Sequence, residues 1–496
     1  MGVLRFSVYP PQLVEDRPEL LSAYISGLDR MPIRTRVELS GGGLVCSRSV
    51  PESGVLNVPW RVDGLGQMML RSATLRERPE PYHLQVELAR GKVNQLRNHL
   101  ADWEMLELEL PDAARKEVRG VLQNLSRTLI SQADPIHAAG QAEATLKQAI
   151  QTAERLTRLL SDRLFQLRHA QYPQLGTLLS CRVGKDATVV CNSPEFTSAF
   201  NAVAIQLNWR DIEPAEGEYH WEPFDALVNW CEQHHLVIKG GPLIQWSPNS
   251  LPAWLWLWED DFDNLLHFVS DFVETVIARY RGRIRLWEVT ARTNYGEILS
   301  LDEERRIRLT VRALRVAREM DPEAVYLVTV GQPWAEYMAR REYQYAPIHF
   351  ADALMRADLG LGALGLELAM GYVEDGSYCR DLLEISDLLD RYSMLGLPLH
   401  VALAAPSGTG SDDLASSGWS FGGGSWRGGW SEQTQADWIA EALPIVASKP
   451  LVQEIGWGHF SDAAHHEFPL AGLVRSDGTA KPALERVLQF RQEHLR

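Results

Sequence analysis

Cysteine is scarce in this sequence, and a long apolar run is missing. The five cysteines among 496 residues are scattered and form no Cys-x-x-Cys pair or cysteine–histidine cluster, which argues against a zinc motif. No apolar stretch reaches the roughly 18 residues that a membrane-spanning helix needs. The opening MGVLRFSVYPPQ has no basic segment followed by an apolar one. We therefore expect no signal peptide and a cytoplasmic location.

The sequence also has fewer positively than negatively charged residues. Lys and Arg total 49 against 65 Asp and Glu, which gives a formal net charge of −16. An acidic surface repels phosphate backbones and anionic lipid, so we expect neither nucleic acid nor a membrane as a partner. Tryptophan, in contrast, is abundant, with 16 residues. Indole rings stack on sugar faces as well as filling cores, so this abundance is a hint of carbohydrate binding.

Hydrophobic periodicity divides the chain into three parts. In residues 1–85, polar and apolar residues alternate with a period of two in short runs that are separated by glycines and prolines. This pattern predicts a small β-sandwich-like domain. In residues 86–172, apolar residues recur at steps of three and four, which predicts a helical connector. This connector packs on a neighbouring domain or forms a homo-oligomer interface. Residues 173–496 alternate strands with amphipathic helices, the α/β pattern of a (β/α)8 TIM barrel. The eight predicted barrel strands are 177–183, 202–209, 236–244, 283–290, 325–330, 361–367, 398–404 and 452–458.

Several short segments of the third part carry a family signature. Residues 200–230 contain Trp209, Ile212-Glu213-Pro214, Gly217, Tyr219, Trp221 and Asp225. In the same order follow Leu251-Pro252-Ala253-Trp254, Arg279-Tyr280-Arg281-Gly282, Leu286-Trp287-Glu288-Val289, Leu364-Gly365-Leu366, Gly396-Leu397-Pro398-Leu399, Trp457-Gly458 and Lys481-Pro482-Ala483. Over about residues 140–496 the chain resembles glycoside hydrolase family 10, the xylanase family. The first 135 residues lie outside this resemblance.

The resemblance implies a retaining mechanism that this chain is not equipped to perform. It calls for a glutamic acid/base after strand four and a glutamate nucleophile after strand seven, about 5 Å apart. Arg292 stands at the first position, and arginine is no useful proton donor because its pKa exceeds about 12. The second position falls near Leu403, and residues 391–411 contain neither Asp nor Glu. We therefore predict that xylanase-type retaining catalysis is absent.

Other carboxylates remain near the predicted strand ends. Glu288, Glu367 and Glu454 are the candidate catalytic residues, and a buried structural role is the alternative for each. Glu367 with Glu454 or Asp462 is the best remaining pair for an inverting hydrolysis, which needs about 6.5–9.5 Å and a water between the two groups. Glu297, Asp462 and Glu467 fall in predicted loops at the barrel mouth.

Aromatic and amide side chains cluster in the same predicted loops. The long loop 407–430 mixes glycines with tryptophans and is either a sugar-binding lid or an aromatic plug that fills the vacated site. Amide groups beside indole rings are typical of sugar-binding clefts. The predicted substrate-binding residues are Asn208, Trp246, Asn249, Trp254, Arg292, Asn294, Gln332, Trp334, Trp426 and Trp457.

Histidines gather after the eighth predicted strand. His459, His465 and His466 accompany Asp462 and Glu467, and these residue types can bind metal. Their spacing fits no established metal motif, so we predict no metal site and no cofactor.

The sequence thus favours a carbohydrate-binding or carbohydrate-processing protein without retaining catalysis, with an oligo- or polysaccharide as its partner. Two alternatives stay open. One is an active glycosidase with relocated carboxylates. The other is a structural or assembly protein that uses the barrel as a scaffold.

Overall fold

The N-terminal part consists of two small β-sheets. The computed structural model describes residues 2–105, 110–296, 298–416 and 418–495. The strands are β1 (Gly2–Ser7), β2 (Tyr24–Ser26), β3 (Pro32–Ile33), β4 (Arg36–Ser40), β5 (Gly43–Arg48), β6 (Gly54–Val62), β7 (Gly66–Leu75) and β8 (Tyr82–His83). One sheet has the strand order β4-β5-β1-β8, and the strands β7-β6-β2-β3 belong to the other. Short 3-10 helices lie at Pro11–Val14 and Pro18–Ser22.

Three helices follow these sheets and share their core. The helices are α1 (Leu84–Met105), α2 (Asp112–Ile130) and α3 (Pro135–Gln171), with a 3-10 turn at Ser131–Ala133 between the last two. Asp134 caps α3 by accepting a hydrogen bond from the His137 backbone N–H at 3.2 Å. One apolar cluster takes side chains from both sheets and all three helices. The parts predicted as 1–85 and 86–172 are therefore packed around a common core. No helix in the described parts of the chain has the length and apolar character needed to cross a membrane.

Helix α1 lies directly on the backbone of β7, and Gly91 makes this close approach possible. A Cβ atom at Gly91 would lie 2.1 Å from the carbonyl oxygen of Arg71. Gly140 in α3 is the matched control, because a Cβ atom there meets nothing within 4 Å.

We expect Gly91→Ala to lower the free energy of unfolding by about 1–3 kcal/mol, because the added methyl group overpacks a rigid contact. We expect Gly140→Ala to raise it by up to about 1 kcal/mol, because alanine is the better helix former. Urea denaturation of the full chain measures both changes. Equal effects of the two substitutions would contradict the close contact between α1 and β7.

The second half of the chain is a closed parallel barrel, as predicted. The strands of this half are β9 (Leu178–Val183), β10 (Ala202–Ile205), β11 (Val237–Gly240), its continuation β12 (Ile244–Gln245), β13 (Leu286–Ala291), β14 (Val325–Val330), β15 (Leu361–Ala369), β16 (Gly371–Glu374), β17 (Leu399–Ala404), β18 (Trp419–Gly423), β19 (Ser425–Trp426) and β20 (Val452–Trp457). Eight strand positions form the ring, with β11 and β12 counted as one, and the pairing of β11 with β13 closes it.

Helices surround the barrel and bury its outward-facing strand residues in a second apolar cluster. Strands β16, β18 and β19 are outside the ring. The helices are α4 (Thr188–Cys191), α5 (Pro194–Ala199), α6 (Trp209–Ile212), α7 (Glu222–Gln233), α8 (Phe262–Tyr280), α9 (Glu303–Met320), α10 (Pro347–Arg356), α11 (Leu382–Ser393), α12 (Glu432–Ser448) and α13 (Pro482–His494), with 3-10 turns at Ala253–Trp258 and Glu336–Ala339.

Two predicted barrel strands are shorter in the structure. The second ends at Ile205 rather than residue 209, because Asn208 accepts a hydrogen bond from the Arg210 N–H and starts α6. The third is interrupted between β11 and β12 at Gly241-Pro242, where proline has no N–H to pair. In the N-terminal part, strand β7 is largely buried on both faces, so it lacks the clear alternation of a half-exposed strand.

The segment after β17 joins the two halves of the molecule. Strand β19 pairs with β7, which extends the N-terminal sheet by a strand from the barrel. Two ion pairs lie at this junction. Lys92 Nζ contacts both carboxylate oxygens of Asp381 at 2.7 Å, and Arg427 Nη2 contacts Glu154 Oε2 at 2.7 Å.

Candidate functional site

Four charged side chains form a closed ring of ion pairs at the barrel mouth. Arg292 follows β13 and makes a two-pronged contact with Glu367, with both N–O distances 2.8 Å. It also donates to Glu467. Arg182, on β9, lies 3.2 Å from Glu367 Oε2 and 3.2 Å from Glu467 Oε2. We call these four residues the mouth cluster.

The mouth cluster keeps the Glu367 carboxylate ionised. Burial alone would raise the pKa of Glu367, but Arg292 and Arg182 outweigh burial, so this pKa lies below its usual range. Burial would lower the pKa of Arg292, yet Glu367 and Glu467 hold it well above its ordinary value. Arg292 and Glu367 are 1% and 3% exposed. Neither group is poised to exchange a proton near neutral pH.

A second charged group lies deeper in the barrel. Lys239 Nζ donates to Glu454 Oε2 at 2.6 Å, and His400 Nδ1 lies 2.7 Å from the same oxygen. Ser180 also donates to Glu454. Burial would raise the pKa of Glu454, but Lys239 and His400 hold it far below its usual range. Glu288 is buried nearby, with one oxygen 3.9 Å from Lys239 Nζ.

Aromatic side chains cover the mouth cluster. Tyr372, Trp419 and Phe468 pack together with Ala369 and Ala404 in one apolar cluster. The Arg292 guanidinium lies 4.9 Å from the centroid of the Trp419 ring. We call this group the aromatic cap. Of the three cap aromatics, Trp419 comes from loop 407–430, whereas Tyr372 and Phe468 come from other segments.

The end of β17 presents only small apolar side chains to the barrel interior. His400 points inward to Glu454, and side chains alternate along a strand, so Ala402 and Ala404 share its face. Leu403 therefore faces the helices, and the inward-facing residues on either side of it are the alanines Ala402 and Ala404.

A polar cavity of about 480 Å³ remains open beside the aromatic cap. It lies over β9, β10, β12 and β20. Arg182 and Glu467 link its floor to the mouth cluster. Its other polar lining residues are Lys185, Asp186, Gln206, Asn208, Arg210, Asp211, Gln245, Ser247, Asn249, Ser250, Ser416, His459, Ser461, His465 and His466.

The structure brings two of the ten predicted substrate-binding residues to this cavity, Asn208 and Asn249. Arg292 lies beneath the aromatic cap instead. Asn294 and Gly331 exchange two hydrogen bonds of 3.0 Å, which tie neighbouring loops together. Gln332 donates to the Glu374 carbonyl oxygen.

The tryptophans that were predicted to bind substrate pack within the protein and do not line the polar cavity. Trp246 and Trp457 are buried, and the Trp457 indole donates to the Ala471 carbonyl oxygen at 2.9 Å. Trp254 donates to the Glu213 carbonyl oxygen at 3.2 Å and packs edge-on against Trp209. Trp334 lies beneath Arg380 near the N-terminal domain. Trp426 is 1% exposed and belongs to β19, so it does not cover the mouth as a lid residue.

Three metal-ligand side chains meet on the loop after β20. One ligand atom each from His459, Asp462 and His466 lies within 4.8 Å of the others. The two imidazole rings stack at 4.0 Å between centroids. Burial lowers the pKa of His459 to about 4, so this ring is neutral at physiological pH. Asp462 also binds Lys481. Among the other predicted loop acids, Glu467 joins the mouth cluster, and Glu297 lies outside the described residues.

Arg182 and Lys239 were missed at the sequence level. Each is a single charged residue in an otherwise apolar barrel strand, LLSCRV and VIKG. A charge in such a strand must find a partner inside the barrel. That pattern was readable from the sequence, although the partner was not.

Comparison with known proteins is consistent with this description of the barrel. Residues 175–329 match the family model "Glycosyl hydrolase family 10". Endo-1,4-beta-xylanase B of Thermotoga neapolitana is 26% identical over 202 residues, which are 40% of this chain and 55% of that protein. Endo-1,4-beta-xylanase 3 of Hypocrea jecorina is 33% identical over 127 residues, which are 24% of this chain and 34% of that protein.

The chain thus spans about half or less of the length of these two curated relatives. Among solved structures, xylanase 10B from Thermotoga petrophila in complex with xylobiose has a TM-score of 0.47 and 19% identity, covering 64% of this chain and 95% of that chain. The matched residues 175–329 include β9 to β14, so the sequence similarity is to the first five strand positions of the barrel.

Proposed function

We propose that the barrel mouth binds a xylan-type oligosaccharide and does not hydrolyse it. One observation carries the proposal. The carboxylates of the mouth cluster form ion pairs with two arginines beneath the aromatic cap, while a polar cavity beside them remains open. The matching family model and the xylanase relatives supply the class of ligand.

We expect no hydrolysis because of the protonation state of the carboxyl groups at the barrel mouth. Glycoside hydrolysis uses one protonated carboxyl group as the acid and a second carboxylate as the nucleophile or base. The carboxyl groups considered for an inverting pair all have a pKa held below its usual range by their neighbours: Glu367 by Arg292 and Arg182, Glu454 by Lys239 and His400, and Asp462 by its hydrogen bond with His459 and by Lys481. None of these three is protonated near neutral pH, so the inverting pair considered from the sequence lacks an acid.

The open cavity has the chemistry of a sugar site without stacking platforms. Its volume of about 480 Å³ lies within the range of roughly 300–1,000 Å³ that is common for small-molecule sites. Amide and hydroxyl groups of Gln206, Ser247 and Asn249 offer both donors and acceptors, as sugar hydroxyls require. No tryptophan lines it among the described residues. Hydrogen bonds rather than ring stacking would hold the ligand.

A glycosidase is the second candidate function, and Asp375 is the observation that favours it. Burial raises the pKa of this half-buried carboxyl group. The charges of Arg292 and Glu367 also act on this pKa, the first lowering it and the second raising it. A raised pKa is what a general acid requires. Loss of turnover in Asp375→Asn would support this candidate only if the unmodified protein hydrolyses a glycan.

Calorimetric titration of the full chain with xylotetraose tests binding, and a product assay on xylan tests hydrolysis. We expect saturable binding without products, and at least about tenfold weaker binding in Gln206→Ala/Asn249→Ala, since lost hydrogen bonds of about 1 kcal/mol each combine. Leu257→Ala, at a side chain 84% exposed outside the cavity, is the control. Product formation would favour the glycosidase. The absence of both xylotetraose binding and xylan hydrolysis would favour the structural or assembly role.

A further inference from the structure

A second cavity lies at the other end of the barrel, where the strands begin. It has a volume of about 820 Å³, and its lining includes the first residues of β9, β11, β13, β14 and β20. Parallel strands that begin at one end of a barrel finish at the other, so the length of the barrel separates this cavity from the mouth. We propose that it binds a small amphipathic monocarboxylate, of the class of a medium-chain fatty acid. We call it the base cavity.

The floor of the base cavity is apolar and reachable from solvent. Lys239 and Glu288 contact each other inside the barrel, so Val237 and Leu286, two residues earlier on the same strands, also face the interior. Val325 is the register partner of Leu286 on the neighbouring strand. Val237 and Val325 are 44% and 45% exposed, although interior positions of a barrel are normally filled by packed side chains. The apolar residues at the strand starts are Leu178, Val237, Leu286, Val325 and Val452.

Arginines predominate among the charged residues of the base cavity. Arg168, Arg283 and Arg285 line it, and Glu232 is the only acid among its described lining residues. Glu232 is already paired with Arg283, with N–O distances of 2.8 and 2.6 Å. The base cavity therefore has an excess of positive charge in a chain whose net charge is −16. This charge favours an anion over the uncharged oligosaccharide proposed for the mouth.

Arg168 lacks a carboxylate partner among the described residues. Its Nη1 donates to the Ala447 carbonyl oxygen, and its Nη2 lies 3.5 Å from Thr177 Oγ1. Burial lowers the pKa of this half-buried guanidinium, and no acid in the described parts of the chain offsets that effect. Arg285, which is exposed, also has no ion-pair partner there. A ligand carboxylate at this rim would supply the missing anion through charge-assisted hydrogen bonds.

The floor and the rim together define the ligand. An apolar floor alone would take any hydrophobic molecule, and an arginine rim alone would take any small anion. The combination favours an apolar body on the floor and a carboxylate at the rim, since apolar burial supplies affinity and a few polar groups fix the orientation. His400 also lines the cavity and is 5% exposed, and its contact with Glu454 at 2.7 Å fixes the imidazole ring.

The test is a calorimetric titration of the full chain with sodium octanoate, with acetate and 1-octanol as matched probes. Acetate lacks the apolar body, and 1-octanol lacks the charge. We expect one octanoate per chain and at least about tenfold weaker binding of either matched probe. Octanoate should also bind about tenfold more tightly than hexanoate, the ratio expected for burying two further methylene groups.

Substitutions in the base cavity separate the rim from the floor. Arg168→Met and Arg285→Met should each weaken octanoate binding about tenfold, because each removes hydrogen bonds from a charged donor. Val325→Asp places a negative charge on the floor and should abolish binding. Arg281→Met, at an exposed arginine outside the cavity, should leave the affinity unchanged.

Gln206→Ala/Asn249→Ala should also leave octanoate binding unchanged, so failure of the carbohydrate proposal and failure of this inference are distinguishable. The absence of saturable octanoate binding would overturn the inference, and so would equal affinity for 1-octanol or unchanged affinity in both arginine variants. Sedimentation of the full chain adds a further check. A dimer that Val325→Asp dissociates would assign the floor to a second copy of the chain instead. If Val325→Asp does not fold, Arg285→Met, at an exposed side chain, decides the question.

Discussion

Replacing Arg292 with methionine is expected to lower the free energy of unfolding by about 3–5 kcal/mol, the usual effect of removing one partner from a buried ion pair. Arg292 is 1% exposed and binds both Glu367 and Glu467. Without it, the buried carboxylate of Glu367 and the partly buried carboxylate of Glu467 share the single guanidinium of Arg182. The loss comes from this uncompensated charge more than from the lost attraction.

A double substitution separates charge from packing at the same site. Arg292→Met/Glu367→Gln removes one charge of each sign, so we expect it to recover a large part of the stability lost in Arg292→Met. Urea denaturation of the four proteins in this cycle measures the coupling between the two side chains. Arg285→Met, at an exposed barrel arginine, is the control and should change stability by no more than about 0.5 kcal/mol.

A loss below about 1 kcal/mol in Arg292→Met would contradict the mouth cluster, since a buried, paired guanidinium cannot be removed so easily. We also expect no gain of xylan hydrolysis in this variant. The inward-facing positions at the end of β17 remain Ala402 and Ala404, and Arg182 still pairs with both Glu367 and Glu467, so the variant gains no free carboxyl group to act as the acid that hydrolysis needs.

Trp426→Ala is expected to lower the free energy of unfolding by about 3–5 kcal/mol, the usual cost of deleting a large buried aromatic side chain. Trp426 is 1% exposed and pairs with Gly66 across the β19–β7 junction. Because this strand joins the barrel to the N-terminal sheet, the substitution should also weaken the coupling between the two halves. Protection of β7 amides from hydrogen exchange should fall in the variant.

Denaturation followed by tryptophan fluorescence and by circular dichroism measures both effects of Trp426→Ala. In the unmodified protein we expect the two signals to change together, and in the variant we expect them to separate. Trp426→Phe keeps an aromatic ring and should retain most of the stability. Leu257→Ala, at a side chain 84% exposed, should have little effect. A fully cooperative, undiminished transition in Trp426→Ala would exclude β19 as the connection.

The candidate site shows where sequence reasoning reaches its limit. The sequence predicted a strand that ends at Glu367, and in the structure β15 continues two residues further, to Ala369, because local periodicity gives the strand but not its last residue. The partners of Glu367 come from residues 182, 292 and 467, and no local pattern indicates that these meet. Trp426 was grouped with sugar-binding aromatics for the same reason. Glycine and tryptophan in a loop fit either a lid or a packed strand, and only the neighbouring β7 decides between them.

The sequence by itself determined the order of strands and helices, the closed barrel and the lack of an acidic residue at the end of β17, because periodicity and residue identity are local properties. The tertiary structure alone decided which charges neutralise one another, that the aromatic residues cap the mouth, and that His459, Asp462 and His466 converge. These features depend on contacts between residues far apart in the chain. Packing and the cost of burying an unpaired charge select them, and neither is visible until the barrel closes.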